Sequence, residues 1–222
     1  MINTIEEQAN QIFEQLKLDK YLGNYVDKTL PIPMPFVGSG KIKLIILGQD
    51  PTVKNPKSRQ AITTVLNLDK NRSVRAYMAG VCNNLGIKIT ENVYATNLFK
   101  NFFVEPPTQI KDLDIFHAFK EHWLPLLQQE LDVYPGIPII TLGQPILAPL
   151  TKNGVSAKVG EYWGYTPGWK AGRMNSFKYI QENDNHLGHT IFPYPHQPSL
   201  RKEFYKVRMK EYTAFVRTTV FS

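Results

Sequence analysis

The chain has 222 residues, 42% of them hydrophobic, which supplies one core and favours a single domain over two. Its 26 Lys and Arg against 19 Asp and Glu give a formal charge of +7, which suits a polyanionic partner without requiring one. A lone cysteine, Cys82, excludes an internal disulfide framework and fits a cytoplasmic location.

Ile2, Ile5, Ala9, Ile12, Phe13 and Leu16 recur at helical spacing, so the chain is expected to open with an amphipathic helix. Glu6, Glu7 and Glu14 interrupt that segment, which is therefore expected to be neither a signal peptide nor a membrane span. The proline-broken stretch Pro31 to Pro35 follows, then a first strand over about Ile42 to Leu47. A helix from Ser73 to Leu85 stops at Gly86; Cys82 lies in it and reads as a small buried hydrophobe. Asn92 to Thr96 reads as a second strand leading into Asn97, and Asp114 starts a helix that runs to about Leu131. Ile137 to Leu142 makes a third strand, and Gly143 turns into a short helix through Ile146 and Leu150. Lys152 to Gly188 reads as a long excursion of loops or short elements. The fourth strand is Thr190 to Phe192, and a long helix from about Ser199 closes the chain.

Strands separated by helices indicate a mainly parallel sheet covered on both faces. The expected fold class is α/β, a three-layer α/β/α sandwich with a central, mainly parallel four-stranded sheet in one domain spanning 1–222. Residues 1–40 form the lead-in, 41–206 the core and 207–222 the end of the last helix.

Parallel strands place their carboxyl ends on one rim, here Gln49 and Asp50, Asn97, Gly143 and Gln144, and His196. Ligands of open α/β sheets bind at that rim. Alone, Asp50-Pro51 reads better as a turn opener; His196, after another apolar run, shifts the balance toward a site. Gly38-Ser39-Gly40-Lys41 is no phosphate loop, because it precedes its strand and Ile42 stands where Ser or Thr is needed. His117 and His122 are five apart on a helix, and His186 and His189 have no nearby cysteine, so neither a metal nor another cofactor is expected. Ser199, His196 and Asp50 lack the Gly-x-Ser-x-Gly elbow of a hydrolase triad.

Basic residues gather at Lys54, Lys57 and Arg59, at Lys170, Arg173 and Lys178, and at Arg201, Lys202, Lys206, Arg208 and Lys210. Glu203 and Glu211 make the last group equally readable as a solvated helix face.

Asp50, Asn97 and His196 suit removal of a base from DNA. Breaking an N-glycosidic bond creates positive charge on the sugar and negative charge on the base. Asp50 would steady the sugar and orient water, His196 would donate to the base oxygen, and Asn97 would pair with the base edge.

The same residues carry a family resemblance. Lys43-Leu44-Ile45-Ile46-Leu47-Gly48-Gln49-Asp50-Pro51 resembles the first motif of uracil-DNA glycosylases, a strand followed by Gly-Gln-Asp-Pro-Tyr-His. Val93-Tyr94-Ala95-Thr96-Asn97 is similar to their second strand, which ends in the asparagine that recognises uracil, and His196-Gln197-Pro198-Ser199-Leu200 to their His-Pro-Ser-Pro-Leu. The resemblance covers about Lys41 to Lys206. It implies a monofunctional DNA glycosylase of base excision repair, acting without cofactor as a monomer on DNA that contains uracil or another modified base. Catalysis would fall to Asp50 and His196, and the base would meet Gln49, Thr52 and Asn97. DNA would meet Gly143, Gln144, Ser199, the wedge Leu200, Arg201 and Lys202, with Gly143 and Gln144 gripping a phosphate through backbone N–H groups.

Departures accompany it. Thr52 and Val53 replace the family's Tyr-His, Ile62 to Val65 lack the stacking aromatic, and Gln197 displaces Pro198 and Ser199 by one place. A binding module that keeps the fold without the chemistry is the alternative these departures favour. A hydrolase of free nucleosides would keep Asp50 but would not need Leu200.

Overall fold

The computed structural model describes residues 2–221; Met1 and Ser222, the ends of the anticipated domain, and the side chains of Ile2 and Asn3 lie outside the described residues. In chain order the helices and strands are α1 (Ile2–Leu18), β1 (Phe36–Val37), β2 (Leu44–Gly48), α2 (Pro56–Arg59), α3 (Ser73–Leu85), α4 (Ile89–Asn92), β3 (Val93–Asn97), α5 (Ile115–Leu131), β4 (Ile139–Leu142), α6 (Leu147–Leu150), α7 (Val159–Tyr162), β5 (Ile191–Tyr194) and α8 (Glu203–Val220).

The fold is α/β, built on one mostly parallel sheet of five strands in the order β1-β3-β2-β4-β5. Four strands were expected from the sequence. The fifth, β1, pairs antiparallel with β3, Phe36 opposite Ala95 and Val37 opposite Tyr94. Two residues between Pro35 and Gly38 carry no alternation to read, and a short edge strand next to proline is where chain geometry permits one.

The four parallel strands are buried along their whole length. That burial explains why they are mostly apolar, since a parallel sheet covered on both faces has no wet side. Each fully buried Ile or Leu contributes roughly 1.5–3 kcal/mol relative to exposure. Register puts Ile45 beside Tyr94 and Leu47 beside Thr96 on one face. There Tyr94 donates its hydroxyl hydrogen bond to Glu130 of α5, and α5 packs against α1. On the opposite face Phe192 and Tyr194 meet Phe215 and Tyr212 of α8, which packs against α3.

Local chemistry sets the ends of these elements. Asp114 caps α5 by accepting from the His117 N–H at 3.2 Å. The last helix starts at Glu203, later than the expected Ser199, because Gln197–Arg201 forms a 3₁₀ turn and Lys202 is extended at φ −68°, ψ 125°. Cys82 is fully buried in α3, where burial pushes its thiol up to about 12. No helix among the described residues is long and apolar enough to cross a membrane.

Candidate functional site

The chain runs from β2 to β3 on one side of the sheet and then crosses to β4 on the other side of β2. Ligands of open α/β sheets bind beyond the carboxyl ends at such a reversal. A cleft of about 480 Å³ opens there. Its walls include Gly48, Gln49, Asp50 and Thr52 after β2, Leu142, Gly143 and Gln144 after β4, and Pro195, His196 and Ser199 after β5.

Asp50 is held on several sides. Its Oδ1 accepts from Gln49 Nε2 at 2.6 Å and its Oδ2 from the Thr52 N–H at 2.8 Å. Loss of water nonetheless pushes its pKa up to about 6, against the opposing pull of the Thr52 hydroxyl and N–H, Gln49 and the Arg59 charge. The carboxylate is therefore ionised at neutral pH, with a proton affinity well above that of a surface aspartate. Thr52 does more than leave room where a tyrosine would stand. Its Oγ1 accepts from the Phe103 N–H at 2.7 Å, tying the Asp50 turn to the segment after β3.

His196 follows β5, and Tyr77 donates to the preceding Pro195 carbonyl at 3.2 Å. His196 is exposed as a residue, but partial loss of water around the ring lowers the imidazole pKa, which favours the neutral form with one N–H to donate. Gly143 is at φ +97°, a left-handed backbone that favours glycine, and the turn it makes packs beside His196, where a Cβ would be in ordinary contact at 3.4 Å. The Gly143 N–H is committed to the Tyr194 carbonyl at 2.8 Å, so it is not one of the free donors expected for a phosphate grip.

Asn97 is not on the cleft wall. It is 1% exposed behind Gly48, and its Oδ1 is buried without a hydrogen-bond partner. Over the same point lies Leu66, a cleft-wall residue whose backbone is left-handed at φ 58°, ψ 12°, followed by Asn67 at φ 50°. At Leu66 this costs roughly 1–2 kcal/mol, a strain that the surrounding structure must hold.

Of the residues anticipated for DNA contact, Gln144, Ser199 and Lys202 line the cleft; Leu200 and Arg201 lie on the adjoining turn, with Arg201 exposed. Leu200 is half-buried and is not part of the hydrophobic core. Two basic residues are structural. Arg59, 4% exposed, donates to the carbonyls of Val53, Phe103 and Val104 and pairs with Asp27 at 3.8 Å. Arg208 is buried over the Phe177 ring at 4.1 Å and pairs with Glu211.

The structure adds Leu66, Pro106, Thr108 and Tyr205 to the wall. Tyr205 lies in the first turn of α8, and no sequence pattern marked it out. Pro106 and Thr108 belong to an irregular segment with no pattern to read. Leu66 lies one place beyond the stretch in which a stacking aromatic is sought. Among the described residues, no group of three or more His, Cys, Asp or Glu is placed to hold a metal ion. No family model matches the chain, and no curated protein matches it in sequence.

Proposed function

We propose that this protein hydrolyses the N-glycosidic bond of uracil or another deaminated base in DNA, as a divergent relative of uracil-DNA glycosylases. The observation that carries this reading is the meeting of a half-buried Asp50 carboxylate and the His196 imidazole on one cleft at the sheet reversal. As the bond breaks, the sugar gains positive charge and the base leaves with the electron pair. Asp50 stabilises that cation and orients the water that adds hydroxide to the sugar carbon, while His196 donates a hydrogen bond to the base oxygen. The water's second proton ends on solvent or on the departing base.

The three-layer α/β/α sandwich belongs to the same reading, with α1 and α5 on one face of the sheet and α3 and α8 on the other. So does action as a cytoplasmic monomer in base excision repair. Lys202, Lys206 and Arg201 would hold phosphates beside the cleft. One observation favours the binding-module alternative: Asn97 is covered in this conformation and does not reach the cleft.

The test is to incubate the purified protein with oligonucleotides holding uracil, hypoxanthine, xanthine or a mismatched thymine, then reveal abasic sites with alkali. Strand breaks with wild type and none with Asp50→Asn support the proposal. Oligonucleotide binding with every strand intact transfers the protein to the binding module.

A further inference from the structure

Three independent observations converge on the floor of the cleft. Gly48 and Asn97 are register partners, so the Asn97 amide lies over the bare Cα of Gly48. A Cβ at position 48 would lie 2.2 Å from Asn97 Oδ1 and 3.0 Å from Leu66 Cδ2, so the amide and the leucine methyl share that space. The Asn97 oxygen is buried and unpaired, a polar group with its binding capacity unspent.

The Leu66 position is imposed by its backbone. Left-handed φ is strained at Leu66, though not at Asn67, whose side chain tolerates it, and the strain persists only where neighbours fix it. Here the Val65 N–H donates to the Met34 carbonyl at 2.9 Å, the Asn67 N–H to the Thr64 carbonyl at 3.0 Å, and the Arg75 guanidinium to the Leu68 carbonyl. A turn held in this way fixes the Leu66 side chain over the cleft floor.

We infer that Leu66 is the specificity-determining cap of the cleft: a heterocycle pairs with Asn97 only by displacing the Leu66 side chain, and the space this leaves sets the ring size admitted. The inference rests on the base-excision reading for its substrate class. Leu66 contacts the floor directly, leaving no room for an aromatic ring between them. Wild type therefore admits a pyrimidine weakly and excludes a purine. The fraction of molecules with the cap withdrawn scales the apparent affinity.

Leu66→Ala removes the cap and keeps the main-chain turn. With the melting temperature checked, its kcat/KM on uracil-containing single strands is expected to rise about tenfold as the competent fraction grows, with hypoxanthine newly cleaved. A stably folded Leu66→Ala protein that loses activity on every base would overturn the inference, since Leu66 would then be a needed stacking wall. A second readout does not depend on catalysis. In protein labelled with ¹⁵N-asparagine, free uracil is titrated against the Asn97 side-chain amide signals. A saturable shift that is stronger in Leu66→Ala than in wild type upholds the cap; equal shifts, or none in either protein, overturn it. If neither protein cleaves any oligonucleotide, the base-excision reading falls and the titration alone decides for Leu66.

Discussion

The side-chain oxygen of Asn97 occupies the space that a Cβ on Gly48 would need, 2.2 Å from its ideal position. The two residues are partners across β2 and β3, and only glycine at 48 lets the amide lie against the strand. Gly48→Ala forces either the amide or the strand to shift, and overpacking of this kind costs about 1–3 kcal/mol. Calorimetric unfolding should register that loss. An unchanged melting temperature would mean that the amide moves aside freely.

Burial raises the Asp50 pKa in the folded protein to about 6, above the usual aspartate range. The folded state thus binds its proton more tightly than the unfolded state, and wild-type stability falls as pH rises from about 4 to 6 and stays lowered above. Asp50→Asn carries no such penalty. Its stability relative to wild type should grow through that window by about 1–2 kcal/mol, after allowance for the carboxylate's remaining contact with water. Cleavage should fall by about 10²-fold or more through loss of one preorganised charge. A stability difference independent of pH would show that desolvation does not govern this carboxyl group.

Thr52 is expected to act on the same titration. Its hydroxyl and N–H both hold the Asp50 pKa down. Thr52→Val keeps the N–H bond and the side-chain shape but removes the hydroxyl, so Asp50 should titrate at higher pH and the acid limb of the activity profile should move upward. The Phe103 N–H also loses its acceptor, which should cost about 1–3 kcal/mol. An acid limb that stays in place would separate Thr52 from the carboxylate.

The parallel strands were legible because burial on both faces favours apolar runs such as Leu44 to Leu47 and Ile137 to Ile140. The cap at Asp114 and the placement of Asp50 and His196 on one rim followed from local chemistry and strand direction. What could not be read depends on tertiary approach. Left-handed backbone at Leu66 has no glycine to announce it, and burial of Arg59 is set by carbonyls of residues 103 and 104, far along the chain. The covering of Asn97 needs the position of Leu66, which no spacing supplies.

Another tertiary relationship absent from any sequence pattern is the buried pair of Lys100 and Glu130, also bound by Thr96 and Tyr94. Burial lowers the Lys100 pKa against the opposing effect of the Glu130 charge. Glu130→Ala strands the ammonium group in a dry setting and should destabilise the fold by about 3–5 kcal/mol. Replacing both, as Lys100→Met with Glu130→Leu, should cost much less. Chemical denaturation of the two proteins checks this, and equal losses would show that the pair's value lies in packing instead of charge.

Leu200 and Lys202 should separate wedge from phosphate contact. Leu200 is half-buried outside the hydrophobic core, on a 3₁₀ turn directly after His196, while Lys202 is exposed and lines the cleft. An apolar side chain inserted into a duplex offsets a few kcal/mol of unstacking, a cost that a single strand does not impose. A phosphate contact instead contributes through counterion release, with a salt slope near −0.9 per charge neutralised on duplex DNA. Leu200→Ala should therefore slow cleavage of duplex far more than of single strands and leave the salt slope unchanged. Lys202→Ala should weaken binding to every sequence and flatten the slope by about one unit. Parallel measurements of single-turnover rate and of binding against salt concentration check both. Equal effects of Leu200→Ala on the two substrates, with a lowered melting temperature, would make Leu200 a packing residue.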